Sequence, residues 1–181
     1  RSQLDHPGVK SIVSVLEHSK STYLDPFLNL SNLIQREAVA AESNLQFLTS
    51  LEKPCQELFK AAPKDIPPIL PKILHVIRVI WNTSRFYNTP ERVMGLLRKV
   101  SNEIIIRCCA TISLSDAFDG DVQSCIQALR ESIYAGEAWK RAYINTKEAV
   151  RAHSAKPWEF DVSNIFAHID AFVQRCRDML E

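Results

Sequence analysis

Ile80-Trp81-Asn82-Thr83-Ser84-Arg85-Phe86-Tyr87-Asn88-Thr89-Pro90-Glu91-Arg92-Val93 decides the fold, because it closes one apolar helix and caps the next. Before it, Ile73, Leu74, Ile77, Ile80 and Trp81 recur three and four residues apart, the period of one helix face. Val76 and Val79 widen that face until the helix reads as nearly buried. The β-branched content would also suit a strand, but the spacing persists and no hairpin turn interrupts it. After it, Thr89 is placed as an N-cap and Pro90 as the first helical residue. Glu91 follows in the first turn, where a carboxylate meets the positive end of the macrodipole. This second helix carries Val93, Leu96, Leu97, Val100, Ile104, Cys108 and Ile112 on its face.

The rest of the chain is punctuated in the same manner, with only four glycines and with prolines gathered at a few breaks, as expected of an all-α protein. Val9, Ile12, Val13 and Leu16 predict a short helix after His6-Pro7-Gly8. From about Pro26 to Ser50, Phe27, Leu30, Ile34, Ala38, Ala41, Leu45 and Leu48 predict a long amphipathic helix, with Asp25 as N-cap and Pro26 at its first position. Pro54 to Ala61 predicts another short one. Pro71 tolerates only the first turn of a helix, so the next cannot begin much before Ile69.

Beyond a polar break at Ser113 to Asp121, Val122, Ile126, Leu129, Ile133, Gly136, Trp139, Tyr143 and Val150 mark one face of a helix that Arg151, His153 and Lys156 end. From Val122 to Val150 it would span about 43 Å. Asp161 caps a last helix, where Phe160 and Ile165 are placed as a hydrophobic staple and Ile169, Phe172, Cys176 and Leu180 continue the face. The lengths favour an elongated helical bundle without sheet over a compact ball. Early helices fall at about 1–62 and later bundle helices at about 66–181.

With 22 basic and 21 acidic residues among 181, the formal charge is +1. No net field attracts nucleic acid or an anionic membrane. No window approaches the roughly 20 apolar residues of a membrane span, since Lys72 and Arg78 interrupt the greasiest stretch. The chain starts at Arg1 without a leader and stops within a helical pattern, so it reads as an internal fragment of a soluble protein. Compact folding at this length would bury roughly 70% of the extended chain's surface. Five cysteines, with only Cys108 and Cys109 close together, suit neither a disulfide framework nor a metal knuckle and point to a reducing cytosol. The sequons at Asn29 and Asn82 fall inside helical periodicity and read as chance.

The chain carries no motif of recognised catalytic or ligand-binding chemistry. No glycine precedes Lys-Ser or Lys-Thr, and no Gly-x-Gly occurs, so no phosphate loop is present. Asp116 to Asp121 glances at a calcium loop, but its acids fall at the wrong positions and Gln127 stands where a bidentate glutamate is needed. It reads as a capped loop. His6, His18, His75, His153 and His168 show neither the i, i+4 pairing of a zinc site nor a Glu-x-x-His. Cys108 or Cys109 would be a nucleophile only beside a base, and on an apolar face at least one is a core residue. Catalytic, cofactor and metal residues are therefore expected to be none, with no small-molecule substrate.

The aromatic residues stand out. Trp81, Trp139, Phe166 and Phe172 lie in register with helix faces and read as core, where truncation costs about 3 to 5 kcal/mol. Their alternative reading is as anchors for a partner subunit. Trp158 and Tyr87 lie at helix junctions, with an indole or phenol donor placed to reach a backbone carbonyl.

The opening stretch resembles the N-terminal tail of dynein heavy chains, axonemal ones above all. The resemblance runs on through Leu96-Leu97-Arg98-Lys99-Val100-Ser101-Asn102-Glu103-Ile104-Ile105, Trp139-Lys140-Arg141-Ala142-Tyr143 and Trp158-Glu159-Phe160-Asp161. It ends in Ile165-Phe166-Ala167-His168-Ile169-Asp170-Ala171-Phe172 and Arg175-Cys176-Arg177-Asp178. It is strong from Glu42-Ser43-Asn44-Leu45-Gln46-Phe47-Leu48 onward and weaker over the first forty residues. Its signature comprises Trp81, Phe86, Tyr87, Asn88, Asn102, Trp139, Tyr143, Trp158, Phe160, Asp161, Phe166, Phe172 and Arg175. The resemblance implies a non-catalytic tail segment, an elongated series of antiparallel helical bundles, that holds heavy chains together and carries WD-repeat dynein intermediate chains, in a microtubule motor of the cilium or flagellum axoneme. The motor ring and its ATP sites would lie outside it. Two other readings are an unrelated helical scaffold or adaptor domain and, less favoured, a helical-bundle enzyme with a buried cofactor.

Overall fold

The computed structural model describes residues 4, 6–113, 122–153 and 156–181. Among these residues every regular element is a helix and no strand forms. The order is α1 (Pro7–His18), α2 (Leu24–Lys60), a 3-10 turn (Pro63–Asp65), α3 (Leu70–Thr83), α4 (Pro90–Cys109), α5 (Val122–His153) and α6 (Val162–Asp178). The all-α expectation holds. The calcium-like run at Asp116 to Asp121 lies outside the described residues.

The chain divides into two compact units, Arg1–Gln46 and Phe47–Glu181. In the first, His6 caps α1 by accepting the Gly8 N–H at 3.1 Å on Nδ1, and α1 buries no residue. The helix ends by a left-handed turn at Lys20, φ 50°, where Ser21 N–H reaches the Leu16 carbonyl and Lys20 N–H that of Glu17. The long helix starts one residue before the expected cap, at Leu24, so Asp25 and Pro26 both sit inside its first turn. Its expected stripe has the right period but is only partly covered. Leu30 is 56% and Leu45 55% exposed, while Phe27, Ala38, Ala41 and Leu48 are half-buried.

Pro54 does not divide α2, contrary to the expectation of a separate short helix from Pro54 to Ala61. An interior proline lacks its N–H and crowds the carbonyl four residues earlier, a cost of about 3 kcal/mol. Here Pro54 is itself buried, beside Leu51 and Leu58 at 7% and 1% exposure, so tertiary burial offsets the local cost.

The second unit is built on α4, α5 and α6, which pack on one another, with α3 and the 3-10 turn laid on α5. Lys140 bonds Asp170 at 2.7 Å and Arg177 bonds Glu137 at 2.6 Å, so α5 and α6 run in opposite directions. Gly136 lets them approach closely: a Cβ there would meet Val173 Cγ2 at 2.5 Å. Ile73, Leu74, Ile77, Ile80 and Trp81 are buried as the spacing predicts, but Val79 is 39% exposed, so α3 shows one open face. On α5 the burial begins at Cys125 rather than Val122, which is 48% exposed. Thr89 holds the N-cap backbone position with φ −102° and ψ 145°, yet its side chain makes no capping bond. Asp161 does cap α6, accepting Asn164 N–H at 3.2 Å and the Ser163 hydroxyl at 2.6 Å. Both staple residues, Phe160 and Ile165, are buried.

Candidate functional site

Six aromatic rings from α3, α5, α6 and the segment before α6 form one chain of edge-on and tilted contacts. Trp81 meets Phe160 at 5.0 Å between centroids, and Phe160 meets Trp158 at 5.1 Å. Trp158 meets Tyr143 at 6.3 Å, Tyr143 meets Phe166 at 5.2 Å, and Phe166 meets Trp139 at 6.0 Å. Edge-on geometry places the positive ring edge on a negative face, worth about 0.5 to 1.5 kcal/mol per pair beyond area burial. Six of the signature residues are thus brought into one spine. All six are below 9% exposed.

Each end of the spine is tied by a polar contact. At one end Trp139 Nε1 donates to the Ser101 hydroxyl at 2.8 Å, and Ser101 Oγ in turn donates to the Ile165 carbonyl at 3.1 Å. One hydroxyl therefore joins α4, α5 and α6. At the other end Trp81 Nε1 donates to the Pro157 carbonyl at 3.2 Å. Lys156 Nζ lies 3.5 Å from the Trp81 ring centroid and donates to the carbonyls of Trp81 and Asn88, both at 3.1 Å. Desolvation holds this ammonium below the usual lysine range.

The carbonyl contact expected of Trp158 is made by Trp81 instead. Trp158 Nε1 and Tyr143 Oη are buried without a hydrogen-bond partner among the described residues. Burial pushes the Tyr143 phenol up to about 12, and the adjacent Trp158 side chain draws it partly back. Phe86 and Tyr87 form a separate edge-on pair at 5.0 Å, with the Arg92 guanidinium 3.7 Å from the Phe86 ring centroid. Asn88 joins through its backbone carbonyl, which accepts from Lys156. Phe172 is buried, whereas Asn102 and Arg175 are exposed and share a groove between α4 and α6.

Ser101 and Lys156 are neither aromatic nor helix caps, and the sequence marks them weakly. Ser101 had one legible signal, a hydroxyl set within the apolar stripe of α4 between Leu97 and Ile104. Lys156 had none beyond preceding Pro157-Trp158, since nothing in linear order places it 75 residues back on Trp81. Among the described residues no group of three or more His, Cys, Asp or Glu could hold a metal ion. No helix among them is long and apolar enough to cross a membrane.

Such a spine, tied at one end to Ser101 on α4 and at the other to the Pro157 carbonyl, defines a helical packing segment: its side chains align helices. Along its whole length, residues 1–181, the chain matches the family model described as dynein heavy chain, N-terminal region 1, and it belongs to that family. It is 63% identical over its full length to the Dynein-1-beta heavy chain, flagellar inner arm I1 complex, of Chlamydomonas reinhardtii, of which it covers 4%. Over 98 residues, 54% of the chain and 2% of the relative, it is 49% identical to human Dynein axonemal heavy chain 2. Identity to the Dynein beta chain, flagellar outer arm, of Chlamydomonas reinhardtii is 27% over 99% of the chain and 4% of that protein.

Proposed function

We propose that this chain is a tail segment of an axonemal dynein heavy chain of inner-arm type, serving as an assembly scaffold in a cilium or flagellum. The observation that carries the reading is the 63% identity, without truncation, to a flagellar inner-arm heavy chain, against 27% to an outer-arm chain of the same organism. The ATP-driven motor activity belongs to other parts of the parent molecule in this reading. The segment contributes rigidity and surface, as one stretch of an antiparallel series of bundles.

Two structural features support the role. The close-packed aromatic spine suits transmission of strain, because packed interiors deform little. Apolar side chains left open on α1 and the first part of α2, such as Ile12, Val15, Leu30 and Leu33, offer area for the partners proposed here. Those partners are dynein intermediate chains with WD repeats and other dynein heavy chains.

Crosslinking with mass spectrometry on the assembled motor tests this reading. Links from the segment to an intermediate chain or to another heavy chain are expected. Links only within its own heavy chain would overturn the assembly role.

A further inference from the structure

Outside the spine, the ends of α4 and α6 bring a pair of sulfurs to one groove. Cys109 closes α4 and is exposed, while Cys176 in the last turns of α6 is 2% exposed, and both are free thiols. They line a single cavity of about 310 Å³ whose walls are otherwise Ile105, Ile112, Phe172 and Met179, with Arg175 alongside. Their level along the helices agrees. Ser101 and Ile165 are bonded across α4 and α6, and the grooves beyond them pair rising numbers on both helices. From that bond Cys109 stands about 12 Å and Cys176 about 16 Å further along, a difference of less than one turn.

We propose that Cys109 and Cys176 form a redox pair, in which a peroxide oxidises the exposed thiol and the buried one resolves it to a disulfide joining α4 to α6. The Cys109 thiolate attacks one peroxide oxygen, the O–O bond breaks, and Cys109 becomes a sulfenic acid while hydroxide leaves. The Cys176 sulfur then attacks the Cys109 sulfur, the S–O bond breaks, and water leaves with the thiol proton. Hydrogen peroxide is thereby reduced and two thiols are oxidised to a disulfide.

The division of labour follows from the surroundings. Peroxide reaches the exposed sulfur first, and susceptibility follows exposure and thiolate character. Burial raises the Cys176 thiol, as does the nearby Cys109 sulfur, while the Arg175 guanidinium favours its thiolate. Cys176 is therefore suited to wait as resolving partner. Cys108 is fully buried, and burial pushes its thiol up to about 11, so peroxide reaches Cys109 in preference to it.

The experiment treats the full-length protein with hydrogen peroxide, blocks remaining thiols by alkylation, and maps the sulfurs by peptide mass spectrometry with fragmentation. Expected is a Cys109–Cys176 crosslinked species lighter by two hydrogens than its parts and lost on adding dithiothreitol. In Cys176→Ser, Cys109 accumulates instead as a sulfenic acid trapped by dimedone, and in Cys109→Ser the crosslink is lost with Cys176 still reduced. The proposal is overturned if wild-type Cys176 is alkylated equally before and after peroxide, or if the crosslink formed involves Cys108. Because the deciding readout is on the wild-type protein, a poorly folding variant does not blunt it.

Discussion

The indole nitrogen of Trp139 donates at 2.8 Å to the hydroxyl of Ser101, in a place where the two residues are 0% and 1% exposed. Water cannot replace either partner there, so the bond has the asymmetry of buried polar pairs: modest when made, costly when half removed. The same oxygen reaches the Ile165 carbonyl, and this makes Ser101 a polar group shared by three helices.

Ser101→Ala should therefore destabilise by about 1 to 3 kcal/mol by leaving the Trp139 N–H unpaired. Urea unfolding followed by tryptophan fluorescence measures it. Adding Trp139→Phe should cost less in the Ser101→Ala background than alone, since the two share one interaction. Strict additivity would show that the bond carries nothing.

Gly136→Ala sets two effects against each other. Helix propensity gains about 1 kcal/mol, while a methyl 2.5 Å from Val173 Cγ2 overpacks the α5–α6 contact at about 1 to 3 kcal/mol. A net loss of midpoint in urea is expected, and Val173→Ala should recover part of it in the double variant. A stabilised Gly136→Ala protein would mean that α6 shifts freely.

Lys156→Met keeps the stem of the side chain but removes the cation from Trp81 and the donors from two carbonyls. A loss of about 1 to 2 kcal/mol follows from a desolvated cation–π contact and its hydrogen bonds. Thermal unfolding by circular dichroism reads it. An unchanged midpoint would place the lysine as a surface residue.

Stability should fall in alkali. Cys108 moves from 9.0 to about 11 and Tyr143 from 10.0 to about 12 on folding, both chiefly by desolvation. Each folded-state value is raised, so each group's contribution is fully present below the unfolded value and lost as pH rises through the folded one. The windows are therefore about pH 9 to 11 for the thiol and about 10 to 12 for the phenol. Tyr143→Phe should flatten the upper part of the decline in urea titrations run from neutral pH to 12. At neutral pH it should be near neutral or slightly stabilising, because the phenol oxygen it removes is buried without a partner.

Helix identity and most boundaries were legible because they rest on local rules. Three-and-four spacing located α3 through α6, Pro71 and Pro90 lay in first turns, and Asp161 was readable as a cap by its place before an apolar run. Where those rules failed, burial overrode them. Pro54 passes inside α2 because Leu51 and Leu58 are buried around it, and no local preference reports that.

The amino-acid order alone determined that this chain is helical, where its apolar stripes run and to which heavy-chain family it is related, since each depends on residue type at fixed spacing. Only the tertiary structure decided which stripes are covered: α3 is sealed at Ile73, Leu74, Ile77 and Ile80 but open at Val79, while the first part of α2 stays open at Leu30 and Leu45. It alone placed Lys156 on Trp81, Ser101 between Trp139 and Ile165, and Cys109 beside Cys176 in one groove. Periodicity records which side of a helix is apolar, whereas pairing across the sequence depends on how faces from distant segments pack, and that is settled by the summed contacts of the core.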